Sequence, residues 1–271
     1  MAAKMPPAIT LTTDFGNRDP WVAAMKGVIS RIAPRSPIID LSHGIAPQNL
    51  LEGALFMASA VPWFPPGTVH LAVIDPGVGT DRQAIAARCN GQYIVCPDNG
   101  LLTVLAQAHP IESVRSIANP AYRLAECSAT FHGRDVFAPA AAHLAAGADF
   151  DTFGPPVDTP QRIRVPEATM DADDQLHGEV IHVDRFGNCI TNINQEMVGD
   201  RTDYRVQVAA QTLSPIHRTY GDVPPGTPLA LFGSTGHLEI AAAMGNAART
   251  LQLGPGAPVT LYRPADGERR P

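Results

Sequence analysis

The chain has 271 residues, 45% of them hydrophobic and 17% charged, with a formal net charge of -6 at pH 7. That length fits one large domain or two smaller ones with sizeable cores, and the balance is that of an ordinary globular chain rather than a disordered one. The acidic balance and the lack of a Lys/Arg-rich stripe argue against nucleic-acid binding, which needs a basic footprint.

Met1-Ala-Ala-Lys-Met-Pro-Pro carries no apolar leader and runs into Ile9-Thr-Leu-Thr-Thr13, a strand by its β-branched content that ends at Asp14-Phe15-Gly16. Asp19-Pro20 suits the N-cap and first position of a helix whose apolar face is Val22, Met25, Val28, Ile29 and Ile32, and Pro34 stops it. Asp14-Phe15-Gly16 matches a kinase magnesium motif, but no glycine-rich loop, strand lysine or H-R-D loop accompanies it, so that reading falls. Pro37-Ile-Ile-Asp-Leu-Ser42 is the second strand, and a helix through Leu50, Ala54 and Met57 follows His43-Gly-Ile-Ala-Pro-Gln-Asn49.

The third strand, Val69-His-Leu-Ala-Val-Ile-Asp75, empties into Pro76-Gly-Val-Gly-Thr-Asp-Arg82. A carboxylate at the exit of a parallel strand points into the crevice where open α/β sheets bind ligands, and the glycines let backbone approach that ligand. Residues 83–97 hold two short strands about Asn90-Gly91, the usual hairpin dipeptide. Asp98-Asn99-Gly100 turns into a helix from Leu101 to Ala108, and Thr130-Phe-His-Gly-Arg-Asp135 precedes an alanine-rich helix from Val136 to Ala146. This alternation implies an α/β domain over residues 1–160, a mostly parallel sheet with helices on both faces.

Prolines and the acidic Asp171–Asp174 run make residues 161–175 an expected exposed linker. In residues 176–271 helical periodicity fades. Gly178–Asp184, Tyr204–Val208, Pro228–Phe232, His237–Ala241 and Pro258–Tyr262 read as short strands of a smaller all-β barrel or sandwich. Cys89, Cys96, Cys127 and Cys189 form neither a C-x-x-C pair nor a Cys/His metal spacing, and no apolar run reaches the roughly 18 residues of a membrane span. A reduced, cytoplasmic chain with no metal site and no membrane partner is expected.

Polar groups gather beside glycines at Asp14, at Asp75 with Arg82, at His132, along Asp184-Arg-Phe-Gly-Asn188, and along Gly233-Ser-Thr-Gly-His-Leu-Glu239. A converging Asp, Arg and His could hold a water and tune its proton transfer, because imidazole titrates near neutral pH and a carboxylate can fix its tautomer. The competing structural readings are a helix-start histidine for His132 and a helix N-cap for Asp14.

Asp14-Phe-Gly, Met25-Lys-Gly-Val, Asp75-Pro-Gly-Val-Gly-Thr, Asp98-Asn-Gly-Leu, Phe131-His-Gly-Arg-Asp-Val-Phe-Ala-Pro and Asp184-Arg-Phe-Gly-Asn-Cys-Ile-Thr-Asn together resemble the S-adenosyl-L-methionine hydroxide adenosyltransferases, the water-using relatives of fluorinase and chlorinase. The resemblance runs from about Ile9 to Tyr262. It implies an N-terminal α/β domain, a C-terminal β-barrel, and a homotrimer with active sites between one subunit's first domain and its neighbour's second. It also implies hydrolysis of S-adenosyl-L-methionine to adenosine and L-methionine by attack of water-derived hydroxide at the ribose C5′, with no separate cofactor.

On the same resemblance Asp75, Arg82 and His132 form the catalytic set, and Asp14 binds the ribose hydroxyls. Asn188 reads the adenine edge beside Phe186, Asp184 and Ser234 contact the methionine ammonium and carboxylate, and Glu239 and Ala247 lie near the nucleoside. The halogenases carry tyrosines where Asp75 and His132 stand, and a carboxylate repels a halide, so the hydroxide branch is the one this chain resembles. The other readings are a halogenating relative, a non-catalytic adenosine or S-adenosyl-L-methionine binding protein, and a metal hydrolase using Asp14, His43, Asp75 and His132.

Overall fold

The computed structural model describes residues 6–199 and 203–263; residues 1–5, on which the expectation of no apolar leader falls, and the outer ends of both expected domains lie outside them. The chain divides into two compact units between Val165 and Pro166.

The first unit contains, in chain order, β1 (Ile9–Thr13), α1 (Trp21–Ile32), β2 (Ile38–Ser42), α2 (Leu50–Ala60), β3 (Val69–Val73), β4 (Ala84–Cys89), β5 (Gln92–Pro97), α3 (Thr103–Ala108), β6 (Ile111–Ser116) and α4 (Ala138–Ala145). Its sheet is ordered β2-β1-β3-β5-β4-β6. β1 runs parallel to β2 and β3, and β3 parallel to β5, whereas β4 is antiparallel to both β5 and β6. The sheet is therefore mixed, with an antiparallel edge. Asn90 and Gly91, at φ 50° and 69°, make the tight turn that reverses the chain between β4 and β5.

β1 and β3 are buried along their whole length, which is why they read as unbroken apolar or β-branched runs. Successive side chains point to opposite faces. Val69, Leu71 and Val73 join Met25 and Ile29 of α1 and Ala141 and Leu144 of α4 in one core. Ala72 and Ile74 join Met57 of α2 and Leu105 of α3 in another.

α1 begins at Trp21, with Pro20 at the capping position and no side-chain cap, so Asp19 does not serve as the N-cap. By contrast, Asn49 caps α2 by accepting the Glu52 N–H at 3.1 Å. After Gly154 the chain first runs along the first unit: Val157 N–H donates to the Val114 carbonyl at 2.9 Å, Gln161 N–H to Asp98 Oδ1 at 2.8 Å, and Ile163 N–H to Thr103 Oγ1 at 3.1 Å.

The second unit contains β7 (Thr169–Met170), β8 (Leu176–Val183), β9 (Cys189–Asn194), α5 (Gln195–Val198), β10 (Arg205–Val208), β11 (Gln211–Leu213), β12 (Ile216–His217), β13 (Pro228–Phe232), β14 (His237–Ala242), α6 (Ala247–Thr250) and β15 (Pro258–Tyr262). The strands follow the order β11-β10-β15-β8-β9-β14-β13-β12, with β7 added to β8, in a nearly barrel-shaped sheet. Val180, Ile193, Val206, Leu238, Ile240 and Leu261 fill its core. Two single-turn helices interrupt the strands, capped by the Asn194 and Asn246 side chains, so the unit is mostly rather than wholly β. Among the described residues no helix is long and apolar enough to cross a membrane.

Gly100 closes the turn after β5 at φ +98°, and a Cβ there would lie 2.6 Å from Ile163 Cγ2 and 2.8 Å from Ile163 N. Gly100→Ala is expected to destabilise the first unit by about 1–3 kcal/mol. Chemical denaturation checks this, the prediction being a lower midpoint at unchanged slope.

Candidate active site

Topology decides where the polar loops meet. The register that pairs Thr13 with Val73 leaves Asp14 and Asp75 just beyond the C-terminal ends of adjacent parallel strands. Because β5 lies between β3 and β4, the segment from Ile74 to Gln83 crosses the C-terminal end of β5. Turns at Asp75–Val78 and Gly77–Thr80 fold that crossing back on itself. Arg82 consequently returns to Asp75: its Nε donates to Oδ1 at 2.8 Å and its Nη2 to Oδ2. Both side chains are withdrawn from solvent, 5% exposed for Asp75 and 10% for Arg82. The guanidinium also lies over the Phe137 ring at 5.1 Å.

His132 reaches the pair from the other side. The expected helix at Val136 begins earlier, as a wider π-helical turn over Gly133–Phe137 with His132 at its start, a distortion common at functional sites. Asp135 is fully buried beneath it and accepts from Arg134 Nε at 2.6 Å, Arg134 Nη2 at 2.9 Å and Ser128 N at 2.9 Å. Burial pushes its carboxyl up, but these hydrogen bonds hold it below the usual carboxylate range. Gly79, at φ +78°, brings the two loops together: a Cβ there would lie 2.4 Å from the Ala129 carbonyl oxygen.

Arg82 Nη2 stands 2.8 Å from His132 Nδ1. A guanidinium only donates, so Nδ1 must accept and the neutral ring carries its hydrogen on Nε2. The expectation that a carboxylate sets this tautomer is corrected, because Arg82 lies between Asp75 and His132. Burial, and next the Arg82 charge, lower the His132 pKa below its ordinary value.

Asp14 accepts the Gln48 N–H on Oδ2 at 2.8 Å, with Gln48 in the left-handed region at φ 64°. The turn after β1 is fixed by Gly16 N–H on the His43 carbonyl at 2.8 Å, and Thr13 Oγ1 meets His43 Nδ1 at 2.9 Å. Phe15 meets Phe131 edge-on at 6.1 Å, and Trp21 meets it at 5.3 Å, joining Asp14's turn to the loop of His132. Among the described residues no group of three His, Cys, Asp or Glu is arranged to hold a metal ion.

In the second unit Asp184, Phe186, Asn188, Ser234 and Glu239 share the wall of a cavity of about 720 Å³. Asp184 Oδ1 accepts the N–H groups of Phe186 and Asn188 at 2.8 Å, and Oδ2 accepts Asn188 Nδ2 at 2.9 Å. The carboxylate thus builds the turn that presents Phe186, which is 74% exposed. Ala247 is fully buried at the start of α6 and is not part of that wall, where Met244 and Gly245 stand instead. The sequence reading missed Tyr220, whose hydroxyl donates to Glu239 Oε2 at 2.6 Å. Burial, then Glu239, raises its pKa and keeps it a donor. Nothing in the local pattern of Thr219-Tyr-Gly-Asp222 marks that contact.

Both units resemble known proteins. Residues 9–154 match the family model "SAM hydroxide adenosyltransferase N-terminal domain" and residues 178–260 its C-terminal counterpart. The chain is 43% identical over 256 residues to a Thermus thermophilus protein named (R)-S-adenosyl-L-methionine hydrolase, covering 92% of this chain and 97% of that one. It is 28% identical over 293 residues to a fluorinase of Actinopolyspora mzabensis, covering 95% and 97%. The crystal structure of an uncharacterized conserved protein from Thermotoga maritima superposes with a TM-score of 0.88 at 36% identity, covering 94% of this chain and all of that one.

The geometry predicts that the His132 ring, followed by ¹⁵N NMR at neutral pH, is the Nε2–H tautomer. Arg82→Met is expected to raise the His132 pKa, since the removed charge opposes protonation. An unchanged titration would show that the guanidinium is not seated on the ring.

Proposed function

The chain belongs to the SAM hydroxide adenosyltransferase family, whose two domain models cover both units, and on that premise we propose that it hydrolyses S-adenosyl-L-methionine to adenosine and L-methionine. The observation that carries the mechanism is the hydrogen-bonded Asp75–Arg82–His132 chain, whose carboxylate and guanidinium are withdrawn from solvent and whose imidazole is half-buried. In the reaction a water oxygen bonds to C5′, the C5′–S pair leaves as a neutral thioether, and one proton is released. Sulfonium leaves readily, so the protein's task is to place the nucleophile in line and free it from bulk solvent.

His132 Nδ1 is occupied by Arg82 and its Nε2 bears hydrogen, so the ring acts as a donor that orients water-derived hydroxide. Arg82 supplies positive field to the same oxygen, and Asp75 fixes the guanidinium and balances its charge. The set as a whole is neutral while His132 is neutral, and does not repel the sulfonium cation. Protonation would place an N–H of His132 against an N–H of Arg82 and break the chain. Because burial and Arg82 lower this pKa, the acid limb of the rate profile should fall below the ordinary histidine value.

Asp14, with its acceptor oxygens at the strand ends, is assigned to the ribose hydroxyls. Asn188, Phe186, Ser234 and Glu239 line the nucleoside and methionine pocket of the second unit, with Tyr220 orienting Glu239. We read that unit as the family's β-barrel and the first as its mostly parallel α/β domain. The chain is also assigned to the cytoplasm, in keeping with its four free thiols, and to a homotrimer with inter-subunit sites. Mixing Asp75→Asn with Asn188→Ala subunits tests the trimer: inter-subunit sites regain activity in mixed assemblies.

The named hydrolase relative specifies the (R) sulfonium, and we assign the same epimer here. Turnover of separated (R) and (S) substrate by the purified chain, with chelator present, tests the reading; adenosine released from (R) material first supports it, and no turnover of either refutes it. Asp75→Asn should lower kcat by about 10²–10⁴-fold while leaving substrate affinity nearly intact. Asn188→Ala should weaken binding in a calorimetric titration, and an unchanged Kd would remove the adenine assignment.

A further inference from the structure

The crossing that carries Asp75 and Arg82 is anchored at both ends by one turn that the chemistry itself does not use. Asn99 Nδ2 donates to the Ile74 carbonyl at 2.9 Å, immediately before Asp75. Asp98 N–H donates to the Gln83 carbonyl at 2.9 Å, immediately after Arg82. The turn is itself held from outside, by Gln161 N–H on Asp98 Oδ1 at 2.8 Å and by Ile163 packed on Gly100.

Arg82, Asp98, Asn99, Gln161 and Arg162 line a cavity of about 390 Å³. Among the described residues no packed side chain fills that space, so close packing does not keep the loop from receding into it, and the hydrogen bonds at its ends do. Asn99 Oδ1 is buried with no partner among the described residues, and a flipped amide would set that oxygen against the Ile74 carbonyl. The amide therefore has one anchored orientation.

We propose that Asn99 is a positioning residue whose side-chain amide, acting through the Ile74 carbonyl, holds the Asp75–Arg82 pair where the guanidinium seats on His132. Asp98 contributes its backbone N–H to the same clamp. The kinetic consequence rests on the catalytic reading above, but the geometric one does not. The charges around His132 are Arg82, Asp75, Arg123 and Asp135, with Arg134 beside Asp135. Of these, Arg82 and Asp75 belong to the clamped crossing.

The test uses Asn99→Leu and Asn99→Ala, both uncharged, so that they add no field of their own. The His132 titration is followed by NMR without substrate. Both variants should titrate at higher pH than wild type as Arg82 recedes, and kcat should fall by about 10²-fold at nearly unchanged KM, the scale of a small misplacement. In the unaltered protein the Asn99 side-chain amide hydrogens should exchange with solvent more slowly than those of an exposed amide, a measurement that needs no variant to fold. A folded variant with an unchanged His132 titration overturns the proposal, as does fast exchange of the wild-type amide. A shifted titration in a protein that turns over no S-adenosyl-L-methionine upholds the clamp and removes the functional reading instead.

Discussion

A guanidinium almost cut off from water must be satisfied on every side, and Arg82 is the group around which the first unit is arranged. A buried cation without partners costs several kcal/mol, so the bidentate Asp75 carboxylate is the condition for its being there. Given that pair, the neutral state and tautomer of His132 follow, because the ring can meet a guanidinium only through a lone pair. Gly79 against Ala129, the π-helical turn and the buried Asp135 all serve to bring a histidine fifty positions along the chain to a single nitrogen of Arg82.

Each unit holds a different kind of preorganisation. In the first, charge is concentrated and internally balanced, with the acidic and basic members consuming one another's hydrogen bonds. In the second, the Asp184 carboxylate is spent on two backbone N–H groups and the Asn188 side-chain amide, so that a turn presents an exposed Phe186 and a largely buried Asn188 to one cavity. Activating water calls for fixed donors around an oxygen, whereas holding a nucleoside calls for an apolar face beside an amide. The named hydrolase relative stands at 43% identity and the fluorinase at 28%.

Much of this was legible in the sequence where a local signal existed. β1 and β3 are buried on both faces and read as apolar or β-branched runs, and Asn90-Gly91 marked its hairpin by backbone preference alone. β6 escaped notice because its partly buried Ile111-Glu-Ser-Val-Arg-Ser116 lacks a clean alternation, and β9 because its polar Thr191, Asn192 and Asn194 obscure the pattern. Asp75 and Arg82 were paired by nearness in sequence and by family resemblance. The direction of the His132 hydrogen bond was not legible, since it depends on a nitrogen delivered from a distant loop. Nor was the Tyr220–Glu239 contact, made between a turn and a strand with no shared motif, or the withdrawal of Ala247 from the cavity wall.

The central claim is that a water oxygen, held by Arg82 and His132, displaces the sulfonium at C5′. Incubation of the purified protein with S-adenosyl-L-methionine in ¹⁸O-water, with and without chloride, followed by mass spectrometry of the nucleoside, tests it most directly. Adenosine carrying ¹⁸O at its 5′ oxygen is expected in both conditions. Unlabelled adenosine, or a 5′-chloro nucleoside in its place, would contradict it.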